Sequence, residues 1–268
     1  MAGPFHRVRR KVNWTPSHLF LWLLVAVGCA APDTQGIRLI GHGGLGPAGE
    51  QPMNSEAAIR KALDKGLEGV EMDVQLTADS VLVAHHDLQL HGPTCLGRIA
   101  DHQWRSLKAC ADPGVQGAFQ GVRLDSLLAR LALEHPQAEF TLDVKLDTGD
   151  DWWTYLHRFS RALARLQRDA GLSGRLIVEC RVVDLLRALT EDAPALPTYL
   201  IADAPEPAVA TALGLRCAGI TMPVDALNAE EAAQVHEAGL KLTVYGVAGR
   251  WSMQQAVRLD PDRIQVDE

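Results

Sequence analysis

No stretch of this 268-residue chain is apolar for long enough to cross a membrane as a stable helix. The apolar run at residues 19–27 has nine residues, against the ~20 that a span requires. Positive charge is in deficit: 26 Lys and Arg stand against 33 Asp and Glu, for a net charge of -7. That excludes the basic footprint of a general nucleic-acid binder. The five cysteines show no zinc-site spacing. Internal repeats, low-complexity tracts and an interdomain linker are absent. With 47% hydrophobic and 22% charged residues, 23 Gly and 14 Pro, the composition excludes collagen, a disordered chain and a coiled coil, and supports a sizeable core.

The N-terminus reads as an export signal. Arg7, Arg9, Arg10 and Lys11 precede the apolar run, and Ala26-Val27-Gly28-Cys29 follows. This order resembles a bacterial lipobox, which implies cleavage after residue 28, lipidation of Cys29 and anchorage at the membrane facing the periplasm. Plain cleavage near Ala30 or Ala31, giving a soluble periplasmic protein, is the alternative. Losing residues 1–28 takes the net charge from -7 to -11, so membrane contact would rest on the lipid alone. Residues 29–36 then form a linker and 37–268 the folded domain. In an exported chain disulfides are permitted. Cys95 and Cys110 lie close together in a loop-like segment and can pair, whereas Cys180 and Cys217 sit in apolar runs that favour buried free thiols.

Nine short β-branched runs recur, at 37–41, 69–75, 81–85, 140–145, 176–180, 198–201, 219–222, 241–246 and 263–266. Amphipathic stretches at 55–65, 124–133, 152–170, 182–189, 229–238 and 251–259 separate most of them. Alternation of this kind predicts an α/β fold around a parallel sheet. Only five residues separate the second and third runs. A parallel crossover needs a dozen or more, so the third run must return antiparallel, as a hairpin. Eight parallel strands remain, which suits a TIM (β/α)8 barrel with a hairpin and loop insertion at 76–123 after the second strand. A doubly wound sheet is the alternative, but Gly41, Gly43, Gly44 and Gly46 miss the dinucleotide spacing.

In such a barrel the C-terminal strand ends carry function, and three polar sets fall there. Gly41-His42-Gly43-Gly44 ends the first strand and offers a titratable ring in a tight turn. Glu71 and Asp73 share one face of the second strand. Two carboxylates so placed call for a neutralising cation, and their hard oxygens predict Ca²⁺ or Mg²⁺; salt bridges to lysines are the alternative. Asp143 and Lys145 repeat the i, i+2 arrangement, Asp143 as a third cation ligand and Lys145 as a phosphate contact, although a plain cross-strand ion pair would look the same. His85-His86-Asp87 ends the hairpin and returns to the rim. Two histidines flanking a hard cation suit acid–base cleavage of a phosphate ester. Glu179, ending its strand, can face the mouth and bind substrate hydroxyls; a helix cap or a solvent-facing role is the alternative. Asp267, beside the first strand, is a candidate to orient His42.

The order Gly-His-Gly-Gly, Asn54-Ser55-Glu56-Ala57-Ala58, Glu71-x-Asp73-Val74-x-x-Thr77-x-Asp79, His86-Asp87 and Asp143-x-Lys145 resembles the glycerophosphodiester phosphodiesterase family. The resemblance implies a metal-dependent phosphoric diester hydrolase that releases glycerol 3-phosphate and an alcohol. It makes His42 and His86 the catalytic pair, Glu71, Asp73 and Asp143 the metal ligands, and Lys145 a phosphate contact. Three positions depart from the family's pattern. Gly43 stands where an arginine usually touches phosphate, Met53 replaces a glutamate, and Asp143 is shorter than the usual glutamate. The first two losses remove one charge of each sign. A lipid-directed phosphodiesterase of the phospholipase C or D kind and a non-catalytic ligand-binding lipoprotein are the alternatives.

Overall fold

The computed structural model describes residues 34, 36–92, 95–110, 119 and 121–267. The export segment 1–28, the lipidation candidate Cys29 and most of the linker lie outside them. The folded body falls within Pro32–Glu268.

Eight parallel strands close on themselves: β1 (Arg38–Gly41), β2 (Gly69–Leu76), β7 (Glu139–Val144), β8 (Leu176–Cys180), β9 (Thr198–Ile201), β10 (Gly219–Pro223), β11 (Lys241–Val247) and β12 (Arg263–Val266). They pair in that order, and β12 pairs β1 to complete the ring. Helices α1 (Glu56–Asp64), α3 (Leu124–Glu134), α4 (Trp152–Asp169), α5 (Val183–Asp192), α6 (Pro205–Gly214), α7 (Ala229–Glu237) and α8 (Arg250–Arg258) connect them. This is the TIM barrel expected from the alternation of strands and helices. Local chemistry starts the helices. Ser55 accepts from Ala58 N at the start of α1, Asp151 caps α4, and Asn228 with Glu231 forms a reciprocal capping box on α7. The outer apolar faces of the strands and the inner faces of the helices make one continuous core.

The barrel lumen is polar where most are apolar. Glu71, Asp73, Gln75, Glu139, Thr141, Glu179, Thr221, Thr243, Arg263 and Gln265 are all buried, and on β2, β7 and β12 they recur at every second position. At the N-terminal end Arg263 lies against both carboxylate oxygens of Glu139, with the Nη2–Oε2 separation 2.9 Å. Its Nη1 also donates to Tyr199 Oη at 2.7 Å. Gly219 makes room for that tyrosine, since a Cβ there would lie 2.4 Å from the Tyr199 ring.

The expected hairpin is present: β3 (Leu82–Ala84) runs antiparallel to β2, pairing Val74 with Ala84 and Leu76 with Leu82. The other described residues of the insertion hold more regular structure than its aperiodic sequence suggests. A second hairpin, β4 (Gln89–His91) with β5 (Leu96–Arg98), leads through a 3-10 turn into α2 (Trp104–Ala109). The short β6 (Val122–Arg123) then adds to β3. Val83, Leu90, Cys95, Ile99, Leu107 and Phe119 form a small separate core there. Cys95 and Cys110 form a disulfide within it, with Cα atoms 5.8 Å apart, while Cys180 and Cys217 are buried free thiols.

Candidate active site

His42 is the first residue past β1, held by its own N–H to Val266 O at 3.0 Å. Its Nδ1 lies 2.7 Å from Asp267 Oδ1, and its Nε2 4.0 Å from Glu71 Oε2. A carboxylate on Nδ1 keeps the proton there and leaves Nε2 as the basic nitrogen. The ring is 30% exposed, so it faces both the acidic lumen and solvent. Asp267 therefore stands where it was proposed to orient His42.

The turn after His42 carries a steric constraint. Gly43 has φ +57°, and its N–H donates to Glu71 Oε2 at 2.9 Å. A Cβ at Gly43 would lie 2.5 Å from Met53 Cε and 2.9 Å from Met53 Cβ. Gly43 and Met53, two of the departures from the resembled pattern, are thus packed against each other, and residue 43 reaches the site through its amide alone.

Glu71 and Asp73 point into the lumen from β2, and Asp73 is register partner to Asp143 on β7, which in turn is partner to Glu179 on β8. Glu71, Asp143 and Glu179 offer carboxylate oxygens that all lie within 4.8 Å of one another. This differs from the ligand trio expected from the sequence, which was Glu71, Asp73 and Asp143. Asp73 is otherwise engaged: Asn54 Nδ2 donates to its Oδ2 at 2.7 Å, its own N–H donates to Asn54 Oδ1 at 2.9 Å, and Lys145 Nζ is 3.0 Å from its Oδ1. Glu179, expected to meet substrate hydroxyls or to cap a helix, instead belongs to the acidic cluster. Thr221 Oγ1 and Gln265 Nε2 donate to its two oxygens, each at 2.7 Å.

Lys145 bridges Asp73 and Asp143. Burial opposes its charge, but Asp143 and Asp73 outweigh burial and raise its pKa. One ammonium does not neutralise the set. Burial, then repulsion from Asp73, Asp143 and Glu179, holds the Glu71 carboxyl well above the usual carboxylate range. Burial raises Asp143 despite Lys145, and burial with Asp143 pushes Glu179 up to about 7. Buried, oxygen-only, mutually repelling donors are what a hard divalent cation neutralises, and the residues present fit such an ion.

This arrangement has a consequence for stability. A carboxyl whose pKa is higher in the folded chain than in the unfolded one binds its proton more tightly when folded. Its contribution is fully present below the unfolded value near 4.5 and is lost as pH rises toward the folded value, about 7 for Glu179. Cation-free protein is therefore expected to melt several degrees lower at pH 7.5 than at pH 5. Millimolar Ca²⁺ or Mg²⁺ at pH 7.5 should recover about 2–3 kcal/mol if it exceeds Kd a hundredfold. Scanning calorimetry with and without chelator checks this; a melting temperature indifferent to the cation contradicts it.

His86 lies on the rim loop after β3, 66% exposed, with Nδ1 2.9 Å from Asp87 Oδ1. The loop is tied to β2: His85 N–H donates to Asp73 O at 3.0 Å, and Gln75 Nε2 donates to both His85 O and Asp87 O at 2.9 Å. The His86 ring itself bonds neither His42 nor the carboxylates. Asn54 escaped the sequence reading as a site residue; its left-handed φ of 64°, typical of Asn, turns its amide onto Asp73. Thr221 and Gln265 escaped it too, and only their lumen-facing positions could have flagged them.

A family model described as the glycerophosphoryl diester phosphodiesterase family matches residues 42–268. The glycerophosphodiester phosphodiesterase of Bacillus altitudinis is 36% identical over 72 residues, 26% of this chain and 29% of that protein. Matches of this kind span about a third of the curated relatives. A glycerophosphodiester phosphodiesterase structure from Parabacteroides distasonis superposes with TM-score 0.73 at 20% identity, covering 87% of this chain and 93% of that one. An Oleispira antarctica phosphodiesterase, solved with the product sn-glycerol-3-phosphate, superposes with TM-score 0.70 at 18% identity over 86% of this chain and 92% of its own.

Proposed function

The chain belongs to the glycerophosphoryl diester phosphodiesterase family, and from that premise we propose that it hydrolyses glycerophosphodiesters to glycerol 3-phosphate and an alcohol. The observation that carries this reading is the carboxylate-backed His42 set 4.0 Å from a buried acidic cluster at the barrel mouth.

Glu71, Asp143 and Glu179 would hold a divalent cation, Ca²⁺ or Mg²⁺, with Asp73 kept beside them by Asn54 and Lys145. When bound, the ion supplies charge stabilisation for the phosphoryl oxygens. The protein's own residues move the protons. His42 and His86 each have a carboxylate on Nδ1, Asp267 and Asp87 respectively, so Nε2 is the reacting nitrogen of both. One ring removes the proton from the attacking hydroxyl or water, and the other protonates the departing alkoxide oxygen. Lys145 spends two of its three N–H donors on Asp73 and Asp143, which leaves the third for a phosphoryl oxygen. The Asp267 and Gly43 contacts fix the histidine and Glu71 before substrate arrives, so little reorganisation is left for the reaction itself. Export and lipid anchorage at Cys29 complete the proposal and rest on the sequence of residues 1–29.

Incubation of the purified protein with glycerophosphocholine and glycerophosphoethanolamine tests the reading, with glycerol 3-phosphate measured by a coupled assay. Release that stops with chelator and resumes with Ca²⁺ or Mg²⁺ is expected. Absence of release from every glycerophosphodiester, with the cation supplied, contradicts it.

A further inference from the structure

Four carboxylates face the mouth, with Lys145 between two of them. Even with a divalent cation added, the set retains excess negative charge, and a phosphodiester brings more. Binding an anion there calls for a further cation. Gly43 contributes only an amide, already spent on Glu71. Arg98, beside the insertion, is divided between Asp147 at 3.1 Å and Asp101 at 3.2 Å.

Arg181 is placed differently. It follows Cys180, the last residue of β8, and lies two positions after Glu179, on the rim next to the strand that carries Asp143. Its Nη1 donates to Asp203 Oδ2 at 2.7 Å and its Nη2 to Tyr245 Oη at 2.8 Å. These partners come from beyond the end of β9 and from β11, so the guanidinium reaches across the mouth side of the barrel. Two of its five N–H donors are used, and its one carboxylate partner is weakly held: the side chains of Arg181 and Asp203 are 51% and 67% exposed. An ion pair that open contributes little and is given up readily.

We propose that Arg181 binds the phosphoryl group of the substrate, leaving Asp203 for a bidentate contact with phosphoryl oxygens while Tyr245 steadies the guanidinium. Planar, bidentate recognition of phosphate is what arginine does better than lysine. The inference rests on the phosphodiesterase reading above.

The test compares wild type, Arg181→Ala and Arg181→Lys on glycerophosphocholine with saturating cation, together with inhibition by inorganic phosphate. In Arg181→Ala, KM and the phosphate inhibition constant should each rise about tenfold or more, with kcat changed much less and the melting temperature unchanged. Arg181→Lys should fall between the two. If wild type turns over and Arg181→Ala keeps both constants within twofold of it, the Arg181 assignment is overturned and the phosphodiesterase reading stands. A wild type that releases no product overturns both.

Discussion

Replacing His42 with alanine is expected to lower kcat by about 10²–10⁴-fold, the range that positioned acid–base groups contribute, while the folded chain survives. The ring is partly exposed and its ties are confined to Asp267 and the 4.0 Å approach to Glu71, so no core packing is lost. His86→Ala should behave alike, since that ring is two-thirds exposed and, among the described residues, bonds only Asp87. Because the two rings serve one proton-transfer cycle, the double variant should be scarcely slower than the worse single one. Initial rates of glycerol 3-phosphate release, read beside circular dichroism and melting temperature, separate chemistry from folding. Near wild-type turnover in either single variant would remove the acid–base pair from the account.

The second large effect belongs to stability. Glu139→Ala leaves the Arg263 guanidinium inside the barrel with Tyr199 and, among the described residues, no hydrogen-bonded carboxylate, Asp262 acting only through space, and breaking a buried ion pair from one side costs about 3–5 kcal/mol. Against a total of roughly 5–15 kcal/mol for an ordinary domain, that is a large share. The pair is bidentate and buried on both sides, unlike exposed pairs such as Arg168 with Asp169, for which ~1 kcal/mol or less is expected. Residues 139 and 263 start their strands, at the opposite end of the barrel from His42 and Lys145, so folded Glu139→Ala should retain its specific activity. Urea unfolding measures the loss; a cost under about 1 kcal/mol would mean that the charge is compensated elsewhere.

Much of this was legible in the residues. Strand alternation exposed the barrel, and five intervening residues forced the β2–β3 hairpin. The insertion was not legible because its small core is assembled from single apolar residues, such as Leu90, Ile99 and Phe119, without a helical or strand period. Helix α6 was missed for a related reason: it buries only Ala208 and Ala212 and has no polar stripe opposite them. At the site, strand placement put Glu71, Asp73, Asp143 and Glu179 near the mouth, but period alone does not say which oxygens come together. Asn54, whose loop conformation delivers an amide to Asp73, and Lys145 tie Asp73 down, while Thr221 and Gln265 set the oxygens of Glu179. The Glu139–Arg263 pair joins residues 124 apart in sequence, and neither carries a local sign of the other.

The central claim is that Glu71, Asp143 and Glu179 share one divalent ion under the His42 ring. Anomalous diffraction from crystals grown with Mn²⁺ tests it most directly. The account predicts a single strong peak in the lumen, within coordination distance of Glu71, Asp143 and Glu179. A peak elsewhere, or a lumen without manganese at millimolar concentration, would contradict it.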